Sequence, residues 1–487
     1  MVLSPDEYKS ELFINNEFVS SKGSERLTLT NPWDESTVAT DVHVANAADV
    51  DSAVAASVQA VKKGPWKKFT GAQRAACMLK FADLAEKNAE KLARLESLPT
   101  GRPVSMITHF DIPNMVSVFR YYAGWADKIA GKTFPEDNGK PNWRYEPMGV
   151  CAGIASWNAT FLYVGWKIAP ALAAGCSFIF KASEKSPLGV LGLAPLFAEA
   201  GFPPGVVQFL TGARVTGEAL ASHMDIAKIS FTRSVGGGRA VKQATLKSNM
   251  KRVTLELGEK PTIVFNEAPL ERQSGESAKD FSKFGQIWVP PSCLLVQWGN
   301  LAEKFHGVRH GSFGGCQRWL GQNPLEPKRT HGPFVDKSQY DRVLGNIDVG
   351  KDTAQLLTGV GRKGDKGFAI EPTIFVNPKP GSKIWFEEIF GPVLSIKTFK
   401  TEEEAIEIAN DTTYGLASVI YTKSLNRGLR VSSALETGGV SINFPFIPET
   451  QTPFGGMKQS GSGRELGEEG LKAYLEPKTI NIHVNIE

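Results

Sequence analysis

From Val150 onward the sequence alternates short apolar runs with longer amphipathic runs, and this alternation restricts the possible folds most. The short runs are VCAGIAS, SFIFKAS, VVQFLTG and IAKISFT, and the runs YVGWKIAPALAAG and LGLAPLFAEAG between them have helical spacing. This βαβα order predicts a parallel sheet flanked by helices. Folds of this kind bind ligands beyond the carboxyl ends of their strands. The polar residues that end the apolar runs therefore mark the predicted site.

The segments on either side of this region are less uniform. Near the N-terminus, LFINNEFV and LTLTNPWD alternate apolar and polar residues around SSKGSE, which predicts one β-hairpin. Residues 45–98 have helical spacing, and Asn46 and Asp49 can cap the start of a helix that residues 64–65 interrupt. We therefore expect two or three helices there. Residues 267–327 show no clear period.

Length, charge and cysteine content exclude several classes of protein. The 487 residues predict about three domains. A net charge of +4 is too small and too evenly spread to indicate binding to nucleic acid or to a membrane surface. The first residues, MVLSPDEYKSELF, carry early acids and no apolar stretch and so do not fit a signal peptide. The most apolar region is interrupted by Asn158, Lys167 and Pro170, so we expect a cytoplasmic protein without a membrane span. The cysteines are too irregularly spaced for a disulfide framework or a zinc site: Cys77, Cys151, Cys176, Cys293 and Cys316.

Short motifs whose residues could bind a ligand or take part in catalysis follow the predicted strands. SFIFKASEKSP places Lys181 and Glu184 at a strand end, which is either a solvated charge cluster or a ligand site. In FTRSVGGGR a strand leads through a Gly-rich turn into a helix, an arrangement in which backbone N–H groups can hold a pyrophosphate. RVTLELGEKPTIVF contains Glu256 as either an edge residue or a base with a raised pKa. EEIFGPV and PFGGMKQSGSGRELG are Gly-containing turns that are equally compatible with a structural role.

Six motifs occur in one order over most of the chain: SWN, FKASEKSP, FTRSVGGGR, LELGEK, EEIFGPV and PFGGMKQSGSGRE. In this order the sequence resembles the NAD(P)-dependent aldehyde dehydrogenase superfamily. The resemblance implies an α/β fold with a Rossmann-like parallel-sheet cofactor domain, a second α/β catalytic domain and a small β oligomerisation flap. The implied boundaries are 1–127 and 147–258 for the NAD-binding domain, 259–458 for the catalytic domain, and 128–146 with 474–487 for the flap.

The resemblance also implies roles for individual residues. In that family a thiolate attacks the aldehyde, an Asn amide holds the oxyanion, nicotinamide accepts the hydride, and a Glu activates the water that releases the acid. Asn158 matches the oxyanion residue and Glu256 matches the base. The carboxylate of Glu184 would accept a hydrogen bond from a free 2′-hydroxyl of the adenosine ribose and repel a 2′-phosphate, which favours NAD over NADP.

The other implied cofactor contacts follow from the same motifs. Lys181 accompanies Glu184 at the adenosine ribose, the FTRSVGGGR turn holds the pyrophosphate, and the EEIFGPV turn surrounds the nicotinamide ribose and ring. The complete implied cofactor set is Ser156, Trp157, Lys181, Glu184, Gly217, Arg233, Ser234, Gly238, Glu388 and Phe390. No metal ligands are expected.

The position of the nucleophile departs from the family pattern. The family has Cys two residues after a Gly-Gln pair, whereas FGQIWVPPSCLLVQ has Trp288 there. An indole offers no thiolate, although Phe281, Phe284 and Trp288 have the spacing of a helix packing stripe. Cys293 lies five positions further on, roughly 16 Å along an extended chain, which is too far to substitute without rearrangement.

Further departures concern glycines and prolines. Arg233 replaces a family Gly in the FTRS turn, where its side chain can crowd the dinucleotide, and Glu259 replaces the second Gly of LGEK. The entry to the Asn158 loop, SWNAT, lacks two family prolines. The altered nucleophile and several unusual basic and Gly residues all fall within 267–327. This clustering indicates one local cause, either relaxed selection or a defective gene model, and not scattered adaptation.

The sequence therefore predicts oxidation of an aldehyde to a carboxylic acid with NAD, impaired by Trp288. One alternative is a catalytically inactive member that acts as a structural or nucleotide-binding protein, and another is ester hydrolysis by water activated through Glu256. The identity of the aldehyde stays open among aliphatic, aromatic and amino aldehydes. We expect a homodimer or homotetramer, because exposed edge strands of a flap are readily completed by a second copy.

Overall fold

The structure is a computed structural model, and it describes residues 3–134, 142–258, 262–268, 286, 292–299, 323–326, 329 and 331–482. The strands are β1 Leu12–Ile14, β2 Glu17–Val19, β3 Arg26–Thr30, β4 Thr37–His43, β5 Lys132–Thr133, β6 Asn142–Pro147, β7 Val150–Ile154, β8 Ser177–Ala182, β9 Val207–Thr211, β10 Lys228–Thr232, β11 Arg252–Glu256, β12 Thr262–Val264, β13 Cys293–Gln297, β14 Gln355–Thr358, β15 Thr373–Val376, β16 Val393–Phe399, β17 Ala417–Tyr421, β18 Gly439–Ile442, β19 Gly461–Ser462 and β20 Leu475–Ile480.

The helices lie between these strands. They are α1 Ala47–Lys62, α2 Gly71–Lys87, α3 Ala89–Thr100, α4 Val104–Met106, α5 Ile112–Ala123, α6 Thr160–Ala174, α7 Pro187–Glu199, α8 Arg214–Ser222, α9 Val235–Leu246, α10 Lys337–Thr353, α11 Lys383–Phe386, α12 Glu402–Asn410, α13 Leu425–Ala434 and α14 Gly467–Lys472, with a π-helical turn at Ile107–Asp111 and 3-10 turns at Pro5–Glu7, Pro65–Lys68 and Lys458–Ser460. No helix in the described ranges is long and apolar enough to cross a membrane.

The first sheet carries the predicted βαβα region. Its described strands have the order β19-β11-β10-β7-β8-β9-β1-β2. The strands β11, β10, β7, β8 and β9 run parallel, and every residue of β7 to β10 is buried. Burial on both faces explains why these strands read as continuous apolar runs. The predicted parallel sheet flanked by helices is confirmed.

Two further sheets complete the architecture. One has the described order β14-β15-β16-β13-β12-β17-β18 and is parallel except at β14. The other, β20-β6-β5, is antiparallel and joins a segment near residue 142 to the C-terminal strand. The strand β19 follows β18 in sequence but pairs with β11 of the first sheet, so that Gly461 lies opposite Glu256. This crossing brings a C-terminal turn to the end of β11.

The prediction of a single N-terminal hairpin is wrong. LFINNEFV forms a complete hairpin by itself, with Ile14 opposite Glu17, and β3 pairs with β4 instead. Asn15 and Asn16 both have positive φ, 58° and 65°, which is the geometry of a two-residue turn that fits the twist of a hairpin. The Asn-Asn pair was the turn signal, and the SSKGSE segment connects two separate hairpins.

The helical prediction for residues 45–98 is confirmed. The Asn46 side chain accepts from the Asp49 backbone N–H at 3.1 Å, and the Asp49 carboxylate accepts from the Asn46 backbone N–H at 2.9 Å. This reciprocal capping box begins α1. The break before Pro65 separates α1 from α2.

Candidate active site

The amide of Asn158 is buried in the turn between β7 and α6 and is held in one orientation. The Tyr163 hydroxyl donates a hydrogen bond of 2.9 Å to Asn158 Oδ1. Asn158 Nδ2 donates to the backbone oxygen of Gln286 at 3.1 Å. Since Oδ1 only accepts and Nδ2 only donates, the two partners decide which way round the amide lies. The donor side of the amide therefore meets the chain two residues before position 288.

A buried ion pair supports the same turn. The Arg102 guanidinium donates to both carboxylate oxygens of Asp111, at 2.5 and 2.6 Å, and to the backbone oxygen of Asn158 at 2.7 Å. Both charged side chains are buried. A bidentate Arg–carboxylate contact fixes the guanidinium plane. Arg102 thus fixes the Asn158 backbone while Tyr163 fixes its side chain. The sequence did not single out either of these supporting residues.

Glu256 ends β11 with a buried carboxylate that is 4% exposed. Neither carboxylate oxygen has a hydrogen-bond partner among the described residues. Burial raises the pKa of Glu256 well above its ordinary value, Glu465 adds to the rise, and Lys167 and Arg464 oppose it. A carboxylate in this situation can take a proton at a higher pH than an ordinary Glu. These are the properties of a general base.

A buried polar network lies next to Glu256. Lys167 is 0% exposed, and its ammonium donates to Glu465 at 2.5 Å, to Thr232 at 2.7 Å and to Ser230 at 2.9 Å. The Ser230 hydroxyl also donates to Glu465 at 2.7 Å. The network joins α6, β10 and the C-terminal turn. Its only sequence signal was a lysine in the most apolar stretch of the chain.

The EEIFGPV turn presents Glu388 and Phe390. Phe390 has a φ of 58°, a left-handed conformation that is strained for a bulky side chain by about 1 kcal/mol or more. Its backbone oxygen accepts from Gln339 Nε2 at 2.8 Å, and its ring packs edge-on against Trp157 with centroids 5.8 Å apart. Burial raises the pKa of Glu388 to about 7, with Arg342 opposing. Strain of this kind concentrates at functional sites.

Asn158, Glu256 and the EEIFGPV turn line one cavity of about 270 Å³. The candidate residues that it brings together are Ser156, Trp157, Asn158, Arg233, Ser234, Glu256, Glu388 and Phe390, and Tyr163 and Glu465 line it as well. The cavity has room for a small organic group between an amide donor and an unpartnered carboxylate. An amide donor can stabilise an oxyanion, and a carboxylate base can activate a water.

A second cavity of about 670 Å³ lies at the carboxyl end of the first sheet. Lys181, Gly217, Arg233 and Ser234 line it, so Arg233 and Ser234 are common to both cavities. Ser234 caps α9, whose first residues also line the cavity. The N-terminus of a helix favours anionic groups. Two neighbouring cavities that share Arg233 and Ser234, the N-cap of α9, fit an extended dinucleotide.

Glu184 lines neither cavity, but its carboxylate lies near two cations that line the second one. Glu184 lies 3.9 Å from the Lys181 ammonium and 3.7 Å from the Arg233 guanidinium. Lys181 is 2% exposed, and burial lowers its pKa to about 8, with Glu184 opposing. The carboxylate therefore lies between two cations.

Gly238 lies outside both cavities. A Cβ there would lie 3.0 Å from Leu257 Cδ1, so the absence of a side chain allows α9 to pack closely on the sheet. Its assignment as a cofactor residue stays a prediction, as does that of Gly217, where a Cβ would lie 3.5 Å from Ile154.

None of the cysteines in the described residues lines the 270 Å³ or the 670 Å³ cavity. Cys151 is buried within β7, Cys176 is buried directly before β8, and Cys77 lies on α2. Cys293 begins β13, donates to the Trp385 backbone oxygen at 3.4 Å and lines a separate cavity of about 20 Å³. Trp288, Glu259 and Cys316 lie outside the described residues. In the described part, no three His, Cys, Asp or Glu side chains are grouped so as to hold a metal ion.

Comparisons with known proteins find relatives that match this chain over nearly its whole length. The model of the aldehyde dehydrogenase family matches residues 18–480. An aldehyde dehydrogenase of Davidiella tassiana is 44% identical over 98% of this chain and 96% of its own length, and the mouse protein named "Aldehyde dehydrogenase, cytosolic 1" is 42% identical over 98% and 95%. The structure of the aldehyde dehydrogenase KauB from Pseudomonas aeruginosa has a TM-score of 0.94, 37% identity and coverage of 98% and 97%. An NAD+ complex of an aldehyde dehydrogenase from Bacillus cereus has a TM-score of 0.93, 36% identity and coverage of 99% of each chain. The chain belongs to the aldehyde dehydrogenase family.

Proposed function

We propose that this chain oxidises an aldehyde to a carboxylic acid with NAD in the 270 Å³ cavity. The observation that carries this proposal is the meeting, in that one cavity, of an oriented Asn158 amide and an unpartnered, buried Glu256 carboxylate. Family membership and the NAD+ complex of the Bacillus cereus relative support the same reaction and the same cofactor.

The residues divide the chemistry between them. The Asn158 amide donates to the substrate oxygen as negative charge develops on it. Glu256 takes a proton from the water that adds to the aldehyde carbon and forms its hydrate, because Trp288 leaves no acyl-enzyme for water to release. Burial raises the pKa of Glu256, the charge of Glu465 adds to the rise, and the charge of Lys167 opposes it.

NAD, when bound, accepts the hydride that leaves the aldehyde carbon. Lys181 and Glu184 would hold the adenosine ribose, Ser234 and the N-terminus of α9 the pyrophosphate, and Glu388 with Phe390 the nicotinamide end. The two cavities support this placement, because Arg233 and Ser234 line both of them.

We expect Trp288 to slow this reaction. It occupies the sequence position of the family nucleophile, and none of the cysteines in the described ranges lines the 270 Å³ cavity. Without a thiolate the attack step loses its usual covalent route. We therefore expect oxidation far slower than that of a thiol-bearing variant. The same observation favours a second candidate function, which is dinucleotide binding without turnover.

We also propose the domain division 1–127 with 147–258, 259–458, and 128–146 with 474–487. The outer edges of β20 and β18 are unpaired within the described residues. A second copy could cover them, which supports a homodimer or homotetramer. The name of the mouse relative supports a cytoplasmic location.

The test measures NADH formation by the purified full chain with aliphatic, aromatic and amino aldehydes. We expect slow formation that needs both aldehyde and NAD and that Glu256→Gln abolishes. Glu403→Gln, on an exposed turn of α12, is the matched control and leaves the rate unchanged. If NAD raises the melting temperature but no aldehyde yields NADH, the second candidate function replaces the first. A rate that Glu256→Gln does not lower would contradict the assigned base.

A further inference from the structure

Lys181 and Arg233 line the 670 Å³ cavity, and both lie close to Glu184, which lines neither cavity. In this group of three charged residues the Glu184 carboxylate is 3.9 Å from the Lys181 ammonium and 3.7 Å from the Arg233 guanidinium. Two cations and one anion leave this group with a net positive charge. With glycine at position 233 the same group would be neutral.

This charge matters for the choice between the two nicotinamide dinucleotides. A carboxylate beside the adenosine ribose accepts a hydrogen bond from a free 2′-hydroxyl and repels a 2′-phosphate, whereas an arginine nearby accommodates that phosphate. The planar guanidinium matches phosphate oxygens in pairs and stays charged at all relevant pH values. Arg233 therefore opposes the selection that Glu184 alone would impose.

The guanidinium is also free enough to serve a ligand. The Arg233 side chain is 41% exposed and that of Glu184 is 21% exposed. At 3.7 Å the pair is longer than a direct hydrogen bond, and partly exposed ion pairs of this kind contribute little to stability. Little is lost when the guanidinium turns from the carboxylate to a phosphate.

We infer that Arg233 makes the ribose end of the site accept a 2′-phosphate, so that this chain binds NADP as well as NAD. The inference rests on the proposed function, because it assumes that the 270 Å³ and 670 Å³ cavities together hold a dinucleotide. It assigns Arg233 to cofactor selection.

The test is isothermal titration of the full chain with NAD, NADP, 5′-AMP and adenosine 2′,5′-bisphosphate. We expect the NADP dissociation constant to lie within about tenfold of that for NAD. Arg233→Gln should weaken binding of NADP and of the bisphosphate by about tenfold or more, because a charge-assisted contact is lost, and should change NAD and 5′-AMP by less than about threefold. Arg233→Lys should keep part of the NADP affinity, since it keeps the charge.

Lys242→Gln is the matched control. Lys242 is exposed on α9, which follows Arg233, and it lies outside the FTRSVGGGR motif and lines neither cavity. It should leave all four affinities unchanged. If NAD binds and NADP does not, or if Arg233→Gln leaves NADP binding intact, the inference is overturned while the proposed function stands. If neither dinucleotide binds, the proposed function fails with it.

Discussion

The Tyr163 hydroxyl donates to Asn158 Oδ1 at 2.9 Å, so a residue in the first turns of α6 orients the amide in the turn before that helix. The amide can then donate only toward Gln286 and the cavity. This contact links the packing of α6 to the chemistry assigned to Asn158.

Removing that hydroxyl should loosen the amide. We expect Tyr163→Phe to destabilise the fold by about 1 kcal/mol, because Asn158 Oδ1 loses its buried donor. In a Trp288→Cys background it should lower the rate of NADH formation about tenfold or more, as losing an oriented oxyanion donor does. Tyr8→Phe is the control, since the Tyr8 hydroxyl donates to an exposed backbone oxygen far from the cavity. Equal rates for both variants would contradict the orienting role.

Breaking the Arg102–Asp111 pair should cost more stability. We expect Arg102→Ala to destabilise the protein by about 3 kcal/mol, because Asp111 is left buried without its cation. Thermal unfolding measures this loss. The double variant Arg102→Met with Asp111→Leu should recover much of the melting temperature, yet not the rate in the thiol-bearing background, because the Asn158 carbonyl still lacks its donor. Recovery of both would show that Arg102 only stabilises the fold.

The raised pKa of Glu256 predicts two pH effects. Glu256 acts as a base only when ionised, so the rate should rise with pH through a value well above that of an ordinary Glu. Stability should move the other way. Between the ordinary and the raised pKa the folded state holds a proton that the unfolded state releases, so stability falls as pH rises through this window.

Glu256→Gln checks the stability effect directly. It removes the titrating proton, so the melting temperature of the variant should exceed that of the natural chain, and by more at pH values above the window than below it. A constant difference at every pH would mean that the pKa of Glu256 is not raised.

Periodicity and local turn chemistry explain what could be predicted from the sequence. The parallel strands read as apolar runs because both faces are covered, and the Asn46–Asp49 capping box is local in sequence. Glu256 and Asn158 were found through motif order. Lys167 and Glu465 meet 298 residues apart, and Arg102 reaches Asn158 across 56 residues, so neither contact leaves a periodic trace. The hairpin error had a local cause, the Asn15-Asn16 turn.

The most direct test of the account compares NADH formation by the natural chain, Trp288→Cys and Trp288→Ala under identical conditions with NAD and one aldehyde. The cavity supplies the oxyanion donor and the base, so restoring the thiol should raise the rate by at least about a thousandfold. Trp288→Ala should stay close to the natural chain, because it removes the indole without adding a nucleophile. A Trp288→Cys variant no faster than Trp288→Ala would contradict the assignment of this cavity as the site of aldehyde oxidation.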